Sequence, residues 1–333
     1  MRKRLTLIFS MAIVSTFGGA LAQSPEARYA LLDRIPAPDG GFDYLSVDSA
    51  RQRLFIGRSY GVAAIDLATR TVIGKLVEAD DVAAVLIIPD TDRMLVTASG
   101  SNEALLINRV SGKVLNRILT GKGPDAALYD PSTGHALVMN GESNDASVVD
   151  LAAARVVATI PLGGKPESGV ADGAGRVFVN IEDTAEIAVV DIRARRVLNR
   201  IPLSGCVEPT GMAFDAVTGT LISACHNRIA KLIDSRSGAD RGSVSIGQDS
   251  DGVVFDALRR LVYVSCEDGT LVVFHLDPQA RAHPVQVVAT QAGARTLALD
   301  SVTGRVYLAS RKTDANGKRI PGTFNILVVG RLP

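Results

Sequence analysis

Five carboxylates mark one recurring point of the chain. Asp43, Asp125, Glu167, Glu208 and Asp251 each stand within seven residues of an aspartate that closes a short apolar segment, and Arg295, in "AGART", takes the matching place in the last copy. Asp80 and Asp81 supply acids in a more degenerate second copy. Taken singly, any of these aspartates has a plain role, capping a turn by accepting backbone N–H groups. Gathered around one opening, they make a negative funnel with a single arginine in it, able to hold a cation, an amine or Ca²⁺ through oxygen ligands. Asp43, Asp125, Glu167, Glu208, Asp251 and Arg295, with His226, are therefore the candidate ligand-binding residues.

The other chemistry-bearing residues narrow the choice. Of four histidines, His135 belongs to a turn on the opposite face and His275 and His283 to outer strands, leaving His226 alone near the acids. One histidine cannot build the clustered sites of zinc or copper enzymes. The chain has no C-x-x-C-H haem attachment, no Trp from which a quinone could be made, no phosphate-cradling glycine loop and no G-x-S-x-G elbow. Catalysis is not visible, no metal site is expected, and Ca²⁺ is the only cofactor that oxygen ligands without a fixed loop spacing leave open. Of three cysteines, Cys206 and Cys225 fall at the two ends of one hairpin, 19 residues apart, on the face that carries the acids. They are the expected disulfide if their Cα atoms come within about 7 Å. Cys266 stands at the equivalent of Cys225 in the next copy and reads as a small buried apolar residue.

What must position these residues is a repeat of about 42 residues. One segment recurs as "YLSVD" (44–48), "AALYD" (126–130), "GMAFD" (211–215), "GVVFD" (252–256) and "TLALD" (296–300), with looser copies at 84–89 and 169–172. A second follows after a turn, as in "RLFIGR", "RVFVNIE" and "LVYVSCE"; a third reads "VAAIDL" or "IAVVDI"; a fourth reads "VLNRIL" (114–119) or "VLNRIP" (197–202). Each is four to seven residues long, rich in Val, Ile, Leu and aromatics, and bounded by turn formers, which is the signature of short strands. Four strands every 40 to 45 residues is the pattern of a propeller blade, and almost no helix is expected. First-strand segments start seven times, but the seventh copy has no fourth strand after "FNILVVG" (324–330). "RYALLDRIP" (28–36) is a fourth-strand phrase standing before the first blade. Pairing it with the last blade would close the ring and leave only short outer edges unpaired. The expected fold is all-β, a seven-bladed propeller of four-stranded antiparallel blades closed by the N-terminal strand, in one domain over residues 28–333.

Residues 1–22, "MRKRLTLIFSMAIVSTFGGALA", place three basic residues before a short apolar run and end on small residues. That is a secretory leader with cleavage expected after Ala22, followed by a short linker over 23–27. No Cys stands at the cleavage point, and no later stretch is apolar enough over a bilayer's thickness to span one. The expected address is the periplasm or the exterior. Three of the 36 basic residues leave with the leader, so 33 face 35 acidic ones and the mature chain is slightly acidic. Nucleic-acid binding, which wants a basic surface and stacking rings, is disfavoured by that balance, by 5% aromatic content and by the absence of Trp. A 47% hydrophobic content over this length is ample for a packed core.

Segments such as "LVYVSCED" (261–268), "VFVNIED" (177–183) and "VYLASRKT" (306–313), each followed by an "IDL"-type strand, resemble YVTN-type β-propeller repeats over the whole mature chain. The resemblance is closest to the YncE-like family of exported seven-bladed propellers. It implies a scaffold more than an activity, because propellers of this kind include a periplasmic single-stranded-DNA binder, surface-layer proteins and amine dehydrogenase subunits. The missing Trp removes the chemistry of the last. Three functions follow in order of expectation. The first is a non-catalytic, monomeric propeller that binds a small molecule or protein partner at the channel mouth. The second is a lactone hydrolase, with Glu208 or Asp251 holding a metal or acting as base, His226 carrying protons and Arg295 gripping a carboxylate. The third, single-stranded nucleic-acid binding, rests on the resemblance alone.

Overall fold

The computed structural model describes residues 28–332, so the expected leader and linker lie outside the described residues. Seven four-stranded antiparallel sheets account for the described chain. In blades one to six the strands run in sequence order from the channel outward; the first blade, for example, is Phe42–Asp48, Arg53–Arg58, Gly61–Asp66 and Val72–Glu78. The seventh is Leu297–Asp300, Arg305–Ser310, Asn325–Arg331 and, as its outer strand, Tyr29–Pro36. The N-terminal phrase therefore completes the last blade, pairing antiparallel from Tyr29 opposite Arg331 to Pro36 opposite Asn325. Apart from one 3₁₀ turn at Ser99–Ser101 the described residues form no helix, and none is long and apolar enough to cross a membrane.

The repeat builds blades because its two middle strands are buried on both faces. "RLFIGR" buries Leu54 and Ile56 toward blade seven and Phe55 toward blade two. Seven apolar clusters result, one between each pair of neighbouring blades. The outer strands are mostly exposed and each buries one isoleucine near its end, Ile118 in the second blade and Ile201 in the fourth. Closure is reinforced at both ends of the first strand. The Gln286 side chain both accepts from the Tyr29 N–H and donates to its carbonyl, and Ile35 packs into the cluster between blades seven and one.

The strand-ending aspartates are turn caps. Asp130, Asp215, Asp256 and Asp300 accept N–H or hydroxyl groups two or three residues on, and Asp66, Asp150, Asp191 and Asp234 do the same after the third strands. These carboxylates punctuate the repeat.

Candidate functional site: the charged channel mouth

Most innermost strands begin earlier than their apolar segments suggest, at Phe42, Val82, Pro124, Pro166, Pro209 and Ser250, and each carries a β-bulge at that end. The extra residues come from the acidic approach to the strand, because a bulge lets one side chain turn out of the ladder. The residue that follows the first paired position is Asp43, Ala83, Asp125, Glu167, Thr210 and Asp251 in blades one to six, and Arg295 stands at the corresponding point before Leu297 in blade seven. One residue per blade thus rings the end of the channel.

Their backbones are held by hydroxyls and an amide of the preceding blade. Thr97 donates to the Asp125 carbonyl at 2.9 Å and Thr296 to the Asp43 carbonyl at 2.9 Å. Ser265 donates to the Arg295 carbonyl, while Ser168 and Asn180 both donate to that of Thr210. Thr97, Ser265, Thr296 and Asn180 are buried, so these bonds fix the ring rigidly.

The ring opens into a cavity of about 310 Å³ lined by Asp43, Tyr44, Asp125, Lys165, Glu167, Glu182, Thr210, His226, Asp249, Asp251, Glu267 and Arg295. Six of the seven expected binding residues meet there. Glu208 does not line it. That side chain is half-exposed and touches the cavity only through His226, whose Nδ1 lies 2.8 Å from its Oε2. Glu208 stands seven residues before its strand-ending aspartate whereas the ring acids stand five before theirs, so Thr210 takes the ring position. Asp80 and Asp81 are likewise outside the cavity lining, Asp81 accepting from the Ser99 hydroxyl. Lys165, Glu182 and Tyr44 were not among the residues singled out from sequence. Lys165 was within reach, two residues before Glu167 in "GKPES"; Glu182 comes from a second-strand end where the repeat gives no signal.

Seven carboxylates, Lys165, Arg295 and one histidine face this space. The cations are already engaged. Lys165 Nζ contacts Glu167 Oε1 at 3.0 Å and also Glu182, and Arg295 Nε contacts Asp251 Oδ2 at 3.1 Å. Among the described residues no side chain or backbone donor reaches the carboxylates of Asp43 or Asp125. Enclosure in the channel, then repulsion from Asp125 and Asp251, holds the Asp43 carboxyl well above the usual carboxylate range. Asp125 is pushed up to about 6 by burial and by Asp251. Burial and then Asp125 push Glu167 up to about 9, the neighbouring Glu182 acting the same way. Glu182, despite its own burial, is held below the ordinary value by Glu167 and by Lys165. Asp251 is raised by burial, with Arg295 opposing. The mouth therefore presents two unpartnered carboxylates beside a satisfied acid–lysine network.

No group of three or more His, Cys, Asp or Glu among the described residues stands close enough to hold a single metal ion. The carboxylates line a wall and do not converge on a point.

The cysteines, and several polar side chains around the mouth, have structural partners. Cys206 and Cys225 are joined by a disulfide, Cα atoms 5.5 Å apart, which ties the loop before Glu208 to the strand before His226. Cys266 is free and buried, its thiol pushed up to about 12 by burial. Arg58 is fully buried, donating at 2.8 Å to the carbonyls of Gly41 and Pro38 and lying 3.9 Å from the Phe324 ring centre. Arg311 covers the Phe42 ring. These two arginines brace the closure between blades seven and one. Asn140 is buried against Asp145 and Ser147. His275 lies on a third strand, not an outer one; His283 is on an outer strand and bonds Asp277.

No curated protein sequence matches the chain. Among solved structures it is similar to a chain of Kuenenia stuttgartiensis hydrazine synthase, with a TM-score of 0.71 and 15% identity over 82% of this chain and 94% of that one. It is also similar to a chain of the mitotic checkpoint complex, with a TM-score of 0.76 and 11% identity over 97% of this chain and 99% of that one. At such identities these likenesses show the propeller fold alone. The model of the YncE-like β-propeller family matches residues 34–214, more than half of the sequence, and the protein belongs to that family.

Proposed function

We propose that the protein is an exported, non-catalytic propeller that binds an organic cation at the channel mouth. The observation that carries this reading is the pair Asp43 and Asp125, half-buried carboxylates that lack protein donors, whereas the strand-ending aspartates cap turns. A cation would supply the missing partner, and the net negative charge of the mouth draws one in. The spread of the carboxylates along a wall suits an ammonium with several donors better than Ca²⁺, which wants six to eight oxygens around one point. Export is supported by the basic, apolar and small-residue order of residues 1–22 and by the Cys206–Cys225 bridge, which persists in oxidising compartments.

Calorimetric titration with butylamine, 1,4-diaminobutane and Ca²⁺ tests the binding, with Asp43→Asn/Asp125→Asn as control. Heat with an amine that disappears in the double variant supports the reading; heat only with Ca²⁺ replaces the organic cation by a metal; no heat with any of the three sinks it. N-terminal sequencing of the exported protein should begin at Gln23.

The 2.8 Å His226–Glu208 pair favours a second reading, in which the histidine is a base oriented by a carboxylate beside Arg295, as lactone opening would need. Lactone hydrolysis that is lost in His226→Ala would move the assignment there. The seven carboxylates of the mouth and the structural engagement of Arg58 and Arg311 disfavour single-stranded nucleic acid.

A further inference from the structure

The face opposite the mouth carries the turns that join the first strand of each blade to the second, and one position in those turns divides the ring. Two residues after the strand-ending aspartate stand Val217, Leu258 and Val302 in blades five, six and seven, 76%, 77% and 66% exposed. The equivalent residues of blades one to four are Ala50, Asp90, Ser132 and Ala174, all small or polar. Leu119 is the one other large aliphatic among the described residues as exposed as these, and it stands alone at the end of an outer strand. Single exposed aliphatics are ordinary on a protein surface; three at one position of three adjacent blades are not.

The three tips are held alike and held together. In each, the backbone N–H donates to the aspartate Oδ1 at 3.1 Å, so the same turn presents each side chain the same way. Two consecutive arginines of blade six tie the turns to one another. Arg259 donates to the carbonyls of Ser301 and Val302 in blade seven at 3.2 and 3.1 Å, and Arg260 donates to Asp215 Oδ2 in blade five at 2.6 Å. The prongs therefore form an arc that is rigid before any partner arrives.

The charge of this sector has one free sign. Asp215, Asp256 and Asp300 are buried beneath the tips, while Asp234, Asp240 and Asp277 pair with Arg241, Lys231 and His283. Among the described residues four exposed arginines of the same sector, Arg28, Arg236, Arg305 and Arg331, pair with no acid. An apolar arc flanked by unpaired positive charge suits an anionic surface.

We propose that blades five to seven dock on an anionic phospholipid bilayer, with Val217, Leu258 and Val302 entering the headgroup layer and the unpaired arginines meeting lipid phosphates. Three separate prongs at one height fit a surface that yields wherever it is pressed, whereas a protein partner would need a pocket matched to each. Neither part holds well alone: a small apolar insertion or a few basic residues attach weakly, and the two together attach stably. Docked this way, the molecule turns its mouth away from the bilayer.

The chain contains no Trp, so Leu258→Trp places a lone indole at the middle tip. On vesicles of equimolar phosphatidylcholine and phosphatidylglycerol its emission should shift to the blue. The intact mature protein should float with those vesicles, less with phosphatidylcholine alone and less again as salt rises. Val217→Ser/Leu258→Ser/Val302→Ser should cut vesicle affinity by about a hundredfold with Tm unchanged, because the replaced side chains are exposed. Arg236→Glu/Arg305→Glu should cut it by about tenfold or more. No flotation with the phosphatidylglycerol vesicles, or flotation that the triple variant retains, overturns the proposal. Self-association in sedimentation velocity that the triple variant lacks, without flotation, overturns it too and assigns the arc to a second copy of the chain.

Discussion

The Thr296 hydroxyl of blade seven donates a 2.9 Å hydrogen bond to the backbone carbonyl of Asp43 in blade one. The contact joins the last blade to the first, so the packing of blade seven on blade one also holds the backbone that carries the first carboxylate of the mouth. Thr296 is fully buried, and removing its hydroxyl leaves a carbonyl without its partner. Thr296→Val should cost about 1–2 kcal/mol of stability by thermal or urea unfolding and weaken amine binding several-fold, whereas Thr296→Ser should restore both. A Val variant that binds as the parent does would show that this contact does not position Asp43.

The ring acids should make the ligand-free protein less stable as pH rises. A carboxyl whose pKa is higher in the folded protein than in the unfolded chain holds its proton more tightly when folded. The stability it contributes is therefore present below about pH 4 and is lost as pH rises through the folded value, about 6 for Asp125. Glu167 extends the loss toward about 9. Asp251, Lys165, Arg295 and Glu182 all act on Asp125, so the titration belongs to the group. Asp125→Asn should raise stability at pH 8 by an amount on the order of 1–3 kcal/mol and flatten the dependence of Tm on pH between 4 and 8. An unchanged profile in Asp125→Asn would remove the charge conflict that the site is built on.

Ring closure predicts cooperative loss when the first strand is weakened. Ile35→Ala opens the cluster between blades seven and one and should cost about 2–4 kcal/mol. Deleting residues 28–36 exposes an unpaired edge along Asn325–Arg331 and should lower Tm in a single transition, with blades one and six losing hydrogen-exchange protection together.

The disulfide should matter to both stability and site. Its cysteines lie 19 residues apart, for which loop closure predicts about 3 kcal/mol. Because the bridge ties the loop ahead of Glu208 to the strand that ends before His226, Cys206→Ser/Cys225→Ser should lower Tm and move the His226 ring resonances in the NMR spectrum. Peptide mapping without reductant should show Cys206 linked to Cys225 and Cys266 unmodified.

The fold was legible because its punctuation is chemical: strand-ending aspartates, turn glycines and apolar runs recur at a spacing that only stacked four-stranded sheets accommodate. The closing strand was legible for the same reason, as an outer-strand phrase out of order. The site was legible only where it followed the repeat. Asp43, Asp125, Glu167, Asp251 and Arg295 hold a fixed distance of five residues from the next strand-ending aspartate or its equivalent, and the structure puts all five on one ring. Glu208 breaks that distance and falls outside, with Thr210 in its place. Lys165 and Glu182 were invisible to periodicity because they come from loops whose lengths and residues vary from blade to blade.

The central claim, that two unpartnered carboxylates at the channel mouth hold a cation, is tested most directly by calorimetric titration of butylamine at pH 8 and at pH 5, each in two buffers of different ionisation enthalpy. Protons compete with the ligand for Asp43 and Asp125, so binding at pH 8 should weaken by about tenfold or more at pH 5, with protons released to the buffer on binding near pH 6. An affinity that is the same at both pH values, or that survives Asp43→Asn/Asp125→Asn, would contradict it.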